Sequence, residues 1–238
     1  DDGASPDQVR ELYFGETQSV SDFYRKNSFG KTWLSGDVVG PYALPSGTCA
    51  FQDVLTTAGQ EASSAGFDVL GYDLISVVIQ ERSPCNFYTR ASLGRFLLTF
   101  PDGGGRRAGQ TIITRLDVGT IAHEFGHNFG LKHANAYRCR ETPNFRNAYT
   151  SDCESIEYGD HFSVMGFGLT TSPRYNISLH YTIFHKLELG WIDDKNIVTT
   201  TQGSYDLSPL EIPPSEDDVI MLRIPVEIEF GSYMGLDN

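Results

Sequence analysis

Apolar residues in "SVSDFYRKNSFGK" recur at helical spacing behind a serine able to cap the first turn, which predicts a helix. The following "TWLSGDVVGPYALP" reads as extended and stops at Pro45, which predicts a strand. A wide apolar stripe in the alanine-rich "CAFQDVLTTAGQEASSAGF" predicts a second helix ending at Gly66, and the β-branched run "YDLISVVIQ" suits a buried parallel strand. After a loop over "ERSPCNFYTRASLG", the segments "RFLLTF" and "TIITRL" read as two more strands joined by a glycine-rich turn, "DGGGRRAG". Further on, "YNISLHYTIFHKLELGWI" has the apolar spacing of a core helix closed by Gly190, and the segment from Ser204 to the end opens a β-rich region. Helix and strand recur, so the expected fold class is α/β (α+β).

One helix carries more than packing. "LDVGTIAHEFGHNFG" is predicted to start at Asp117, whose carboxylate can cap free amides, with Val118, Ile121, Ala122, Phe125 and Phe129 as apolar contacts. On it, His123 and His127 stand four residues apart and therefore on one face, where both rings can address one ion. Glu124 is turned by about 100° from His123, out of the ligand pair but within reach of water held beside it. Gly130 permits the left-handed conformation that ends a helix, and a sharp reversal there brings His133 back as a third ligand. Three neutral imidazoles leave one corner of a tetrahedral zinc open for water, the pattern of a catalytic ion, with Zn–N about 2.1 Å. Zinc lowers that water's pKa to about 7 and polarises a carbonyl; Glu124 then serves as the base, and peptide-bond hydrolysis follows.

A bare HExxH is a modest pattern, since paired histidines on a helix often serve only the surface or the core; the added glycine and third histidine make it specific. Downstream, "YGDHFSVMGFG" places Met165 in a glycine-flanked turn, and there the resemblance of these motifs to those of metzincins implies that it packs beneath the ligands rather than coordinates. A methionine by itself is an adaptable core residue, so this reading depends on the histidines.

The bulk properties narrow the partners. A chain of 238 residues can bury one core or two packed subdomains, and its 39% hydrophobic and 12% aromatic content opposes disorder. A formal charge of −13 disfavours nucleic acid and anionic membranes, and no apolar run is long enough to cross a bilayer. The opening "DDGASPDQVR" lacks Met, a basic region and an apolar region, and reads as a processed mature terminus. Cys49, Cys85, Cys139 and Cys153 show no CxxC spacing; two disulfides, with Cys49–Cys85 and Cys139–Cys153 favoured among three pairings, compete with four buried thiols in a cytosolic protein.

Through "DVGTIAHEFGHNFGLKHA", "EYGDHFSVMG" and "FHKLELGWI", in that order, the chain resembles metzincin zinc endopeptidases, and more narrowly the secreted gametolysin-like family. The resemblance runs from about "SVSDFYRKNSFGKTWLSGDV" to "LGW". It implies a metzincin-type catalytic domain: residues 1–130 forming an N-terminal subdomain with a twisted mixed sheet, two helices and the active-site helix on the cleft floor, and residues 131–238 forming a smaller C-terminal subdomain with the third ligand, the Met-turn, a helix and a β-rich tail. It assigns zinc to His123, His127 and His133, catalysis to Glu124 and the Met-turn to Met165. Where some metzincins carry an additional tyrosine ligand this chain has Phe167, so no tyrosine ligand is expected. Relatives of this type begin with an apolar strand; the first eight residues hold none, and the sheet either lacks it or takes "ELYF" in its place.

The remaining expectations are lesser ones. Substrate contacts are placed at Phe167, Gly168 and Leu169, and an extended substrate is expected to pair with an edge strand, "RFLLTF" or "TIITRL". His161, His180 and His185 receive no catalytic role, the latter two being placed on a helix. Asp152, Glu154, Glu157 and Asp160 form an acidic cluster that offers a calcium (Ca2+) site or, without EF-hand spacing, a solvated loop; Asn176 opens a glycosylation triplet of little weight. The expected molecule is a secreted, monomeric zinc (Zn2+) endopeptidase acting on protein or peptide substrates, with an inhibitory pro-segment lying outside these residues. The competing readings are a noncatalytic metal-stabilised binding module or adhesin, and a protease restricted to glycosylated or collagen-like proteins.

Overall fold

A computed structural model of the chain describes residues 3–79, 85, 87–100, 104–139, 153–167 and 180–225. Helix α1 (Pro6–Phe14) starts from a reciprocal capping box between Ser5 and Gln8, with proline in its first turn. "ELYF" therefore lies in a helix and adds no strand, because Val9 and Tyr13, one turn apart, are the residues it buries. Helix α2 (Val20–Asn27) is capped by Ser19, whose hydroxyl accepts from the Asp22 amide. Helix α3 (Phe51–Ser64) buries Val54, Leu55, Gly59 and Ala62 against the sheet side.

The sheet is mixed and centred on β4 (Gly105–Ile113). Strand β1 (Leu74–Val78) runs parallel to it, from Leu74 opposite Gly109 to Val78 opposite Ile113. The short β2 (Arg90–Ala91) and β3 (Phe96–Thr99) pair with it antiparallel, Arg90 opposite Ile112 and Phe96 opposite Ala108. Strand β4 thus starts six residues before the expected "TIITRL", because pairing with β3 draws Gly105–Ala108 into the ladder and shortens the expected turn. Its central position also removes "TIITRL" as an edge for added strands, while β3 has β4 as its one described partner.

The segment 32–45, expected as a strand, joins no sheet. Its polar groups are met by side chains: Ser21 Oγ accepts from the Leu34 amide and donates to the Leu34 carbonyl, and Arg10 donates to the Val38 carbonyl. Beyond the sheet come α4 (Val118–Asn128), the paired strands β5 (Ala136–Cys139) and β6 (Cys153–Ile156), helix α5 (Ile183–Glu188), and the parallel pair β7 (Ile197–Thr199) and β8 (Met221–Arg223). Helix α5 is much shorter than the apolar spacing predicts, because Thr182 caps it; His180 precedes it, and residues 175–179 lie outside the described residues.

The main core joins α1, α2 and α4 through Val9, Tyr13, Phe23, Tyr24, Ile121 and Phe125, and continues into Leu131, Met165, Tyr181 and Trp191. A smaller cluster of Leu55, Ala62, Val69, Leu98 and Phe100 fills the space between α3 and the sheet. Each fully buried large side chain contributes about 1.5–3 kcal/mol, so α4 is held chiefly by its inner face. Cys49 and Cys85 form a disulfide. The β5–β6 register sets Cys139 opposite Cys153, although the Cys139 side chain is outside those described. No described helix is long and apolar enough to cross a membrane.

Candidate metal centre

Helix α4 begins where Asp117 Oδ1 accepts from the Thr120 amide at 2.9 Å and Oδ2 from the Thr120 hydroxyl at 2.8 Å, a cap worth about 1 kcal/mol. Midway along, the hydroxyls of Tyr24 and Tyr181 lie 2.7 Å apart, and both reach the Ala122 carbonyl, at 2.9 and 2.7 Å. These buried tyrosines fix the helix immediately before His123. At the other end the Leu131 amide donates to Gly126 O and the Gly130 amide to His127 O, with Gly130 at φ +99°. That is a Schellman closure, whose left-handed residue is costly for any side chain and free for glycine. Three residues later the reversed chain presents His133.

The three rings converge. His127 Nε2 lies 3.1 Å from His123 Nε2 and 3.1 Å from His133 Nε2, and all three donor atoms fall within 4.8 Å of one another. The outer nitrogens settle the tautomers. His123 Nδ1 faces the Val164 carbonyl at 2.8 Å, His127 Nδ1 the Leu131 carbonyl at 2.8 Å, and His133 Nδ1 the Glu157 carboxylate at 2.6 Å. Carbonyl and carboxylate oxygens only accept, so each Nδ1 carries the proton and each Nε2 turns a lone pair inward. Lone pairs this close repel one another unless a cation lies between them. A tetrahedral ion about 2.1 Å from each nitrogen would space them by about 3.4 Å, close to the observed separations. The donor set therefore fits zinc, and each ring is oriented from behind as metal-bound imidazoles usually are.

Electrostatics agree with this arrangement. Burial lowers the His123 imidazole to about 4, against the opposing pull of the Val164 hydrogen bond, and burial lowers His127 as well. Both rings are thus neutral at neutral pH, the form in which an imidazole can donate to a metal. Burial also pushes the Glu124 carboxyl up to about 7. Among the described residues no hydrogen bond or ion pair engages that carboxyl, which leaves it available for proton transfer.

Met165 is fully buried, and its carbonyl accepts from the Ala134 amide at 2.8 Å. Its sulfur crosses the helix at Gly126, where an added Cβ would stand 2.6 Å from Sδ and 2.9 Å from the Tyr181 hydroxyl. Gly126→Ala should therefore overpack this contact and lower stability by about 1–3 kcal/mol, read as a drop in the denaturation midpoint; an unchanged midpoint would show that the turn yields freely.

Of the residues singled out from sequence, His123, His127 and His133 meet at one point, Glu124 adjoins them on α4, and Met165 lies against that helix. Phe167 is half-exposed with its ring 5.2 Å from His161, while Gly168 and Leu169 lie outside the described residues, as does Asn176. His161, His180 and His185 are not part of the three-histidine group. Calcium gains no support: Glu157 engages His133, Glu154 approaches Arg138 at 3.4 Å, Asp160 accepts from the Phe162 amide, and Asp152 is outside the described residues. Two contacts escaped the sequence reading, the Val164 carbonyl behind His123 and the Glu157–Tyr158 pair beside His133. Only the "EYGDHF" context marked the latter.

Residues 48–165 match the model of a family described as Metallo-peptidase family M12B Reprolysin-like. That stretch takes in the sheet, α4, all three histidines and Met165, and the match supports a metallopeptidase of metzincin type. Searches of curated proteins and of solved structures return no match.

Proposed function

We propose that the chain is a secreted zinc endopeptidase that hydrolyses internal peptide bonds of proteins outside the cell. The observation that carries this reading is the convergence of three inward-facing imidazole lone pairs next to an unengaged carboxyl. When bound, zinc supplies Lewis acidity, polarising a substrate carbonyl and acidifying water. His123, His127 and His133 would hold it through Nε2, and their Nδ1–H bonds keep them neutral and aimed. Glu124 takes a proton from the attacking water as the C–O bond forms, then delivers it to the amide nitrogen as the C–N bond breaks. In the metal-free chain burial raises its affinity for a proton, and a bound zinc ion would oppose that rise and favour the carboxylate that accepts the water's proton.

Met165 serves in this reading as the hydrophobic support of the ligand helix, and Phe167 borders the substrate path. An extended substrate would pair along β3, which carries exposed Phe96 and Leu97. Secretion is supported by the Cys49–Cys85 disulfide, and the gametolysin-like affiliation by the sequence motifs. The division into subdomains 1–130 and 131–238, with the cleft between them, belongs to the same proposal, as do a monomeric state and an inhibitory pro-segment.

A mixed peptide library tests this directly. Internal cleavages should appear with the zinc-loaded chain, vanish with a chelator and return when zinc is restored. Cleavage that persists with the metal removed would reject the proposal.

A further inference from the structure

The loop after β6 makes a tight turn, closed by the Gly159 amide on the Ile156 carbonyl at 3.0 Å, and its two inner residues both turn toward His133. Glu157 accepts the His133 Nδ1 proton at 2.6 Å, and the Tyr158 ring packs on the imidazole with centroids 3.7 Å apart. The planes of Tyr158, His133 and His123 lie within 32° of one another, and the phenol ring centroid lies 3.7 Å from that of His133 and 6.0 Å from that of His123, so the phenol packs on His133 while flanking His123. Tyr158 does this at φ +60°, a conformation that glycine adopts without strain and that costs a tyrosine on the order of 1 kcal/mol or more. The turn itself therefore gains nothing from a tyrosine; the contact with His133 does.

We propose that Glu157 and Tyr158 form a clamp that positions the third metal ligand. His133 is the ligand most in need of one. His123 and His127 are set by the rigid helix and by backbone carbonyls, whereas His133 lies past the helix end, on a chain reversal. Glu157 fixes its tautomer and ring direction and makes Nε2 a better electron donor; Tyr158 prevents the ring from rotating away. Both act through His133 and are positioning residues.

The inference rests on the zinc-peptidase reading and is tested apart from it, by zinc affinity in chelator competition alongside thermal stability. Glu157→Ala should weaken zinc binding about 10- to 100-fold, the range for partners behind a ligand, and Tyr158→Gly about 10-fold. Tyr158→Phe, which keeps the ring, should stay within about twofold of wild type. Tyr158→Gly separates the roles further: it relieves the backbone, so the metal-free form should be at least as stable as wild type while zinc binding falls. Wild-type zinc affinity in both Glu157→Ala and Tyr158→Gly would overturn the clamp and leave the peptidase reading standing. A wild-type chain that takes up no zinc would overturn both.

Discussion

Replacing Glu124 by alanine should leave zinc bound and reduce peptide hydrolysis by about 10²- to 10⁴-fold, the range supplied by a positioned general base. No described hydrogen bond or ion pair is broken by the change, and a carboxyl that burial already raises to about 7 is removed from a dry position. In its metal-free form the variant should therefore fold at least as well as wild type, since an ionised carboxylate there is destabilised by burial. Zinc content, melting temperature and kcat/KM measured together separate loss of chemistry from loss of structure. Undiminished hydrolysis by a folded, zinc-loaded variant would remove Glu124 from the reaction. The noncatalytic reading would be revived by a different result, a folded, zinc-loaded wild type that cleaves no peptide.

The second large effect is at a ligand. His127→Ala deletes the middle nitrogen of the three, which lies 3.1 Å from each of the others, and also the bond to the Leu131 carbonyl. Zinc binding free energies of about 10–16 kcal/mol at sites with four protein ligands give about 2.5–4 kcal/mol per ligand, a loss of roughly 10²- to 10³-fold in affinity. Activity should disappear at zinc concentrations that saturate wild type, and the stabilisation that zinc confers on thermal unfolding should shrink in parallel. A variant that retains wild-type zinc affinity would show that the ion sits elsewhere. Lys195 and Glu216, an exposed ion pair with no member among the three histidines or their partners, provide a control position at which substitution should not alter metal binding.

Much of the site was legible because local rules place it. Four-residue spacing puts His123 and His127 on one face whatever the rest of the fold does, and Gly130 announces the reversal that returns His133. The Asp117 cap and the parallel course of β1 followed from composition in the same way, although β1 is half-buried along its length where a buried strand was expected. What remained hidden depended on distant partners. The segment 32–45 has strand-like composition, yet Ser21 and Arg10 satisfy its backbone in place of a neighbouring strand. "GRRAG" reads as a turn until β3 pairs with it. "ELYF" reads equally as strand or helix, and the Ser5–Gln8 box decides for helix. Glu157 and Tyr158 stand 24 and 25 residues beyond His133, and no periodic pattern connects positions so far apart. The carbonyl of Val164 is a backbone group and leaves no mark in the amino-acid alphabet at all.

X-ray absorption at the zinc edge of the loaded chain addresses the central claim most directly. Three imidazole nitrogens at about 2.0–2.1 Å and one oxygen completing four-coordination are the predicted first shell, with one ion per chain by metal analysis. Sulfur in the first shell, or fewer than three histidine nitrogens, would contradict it.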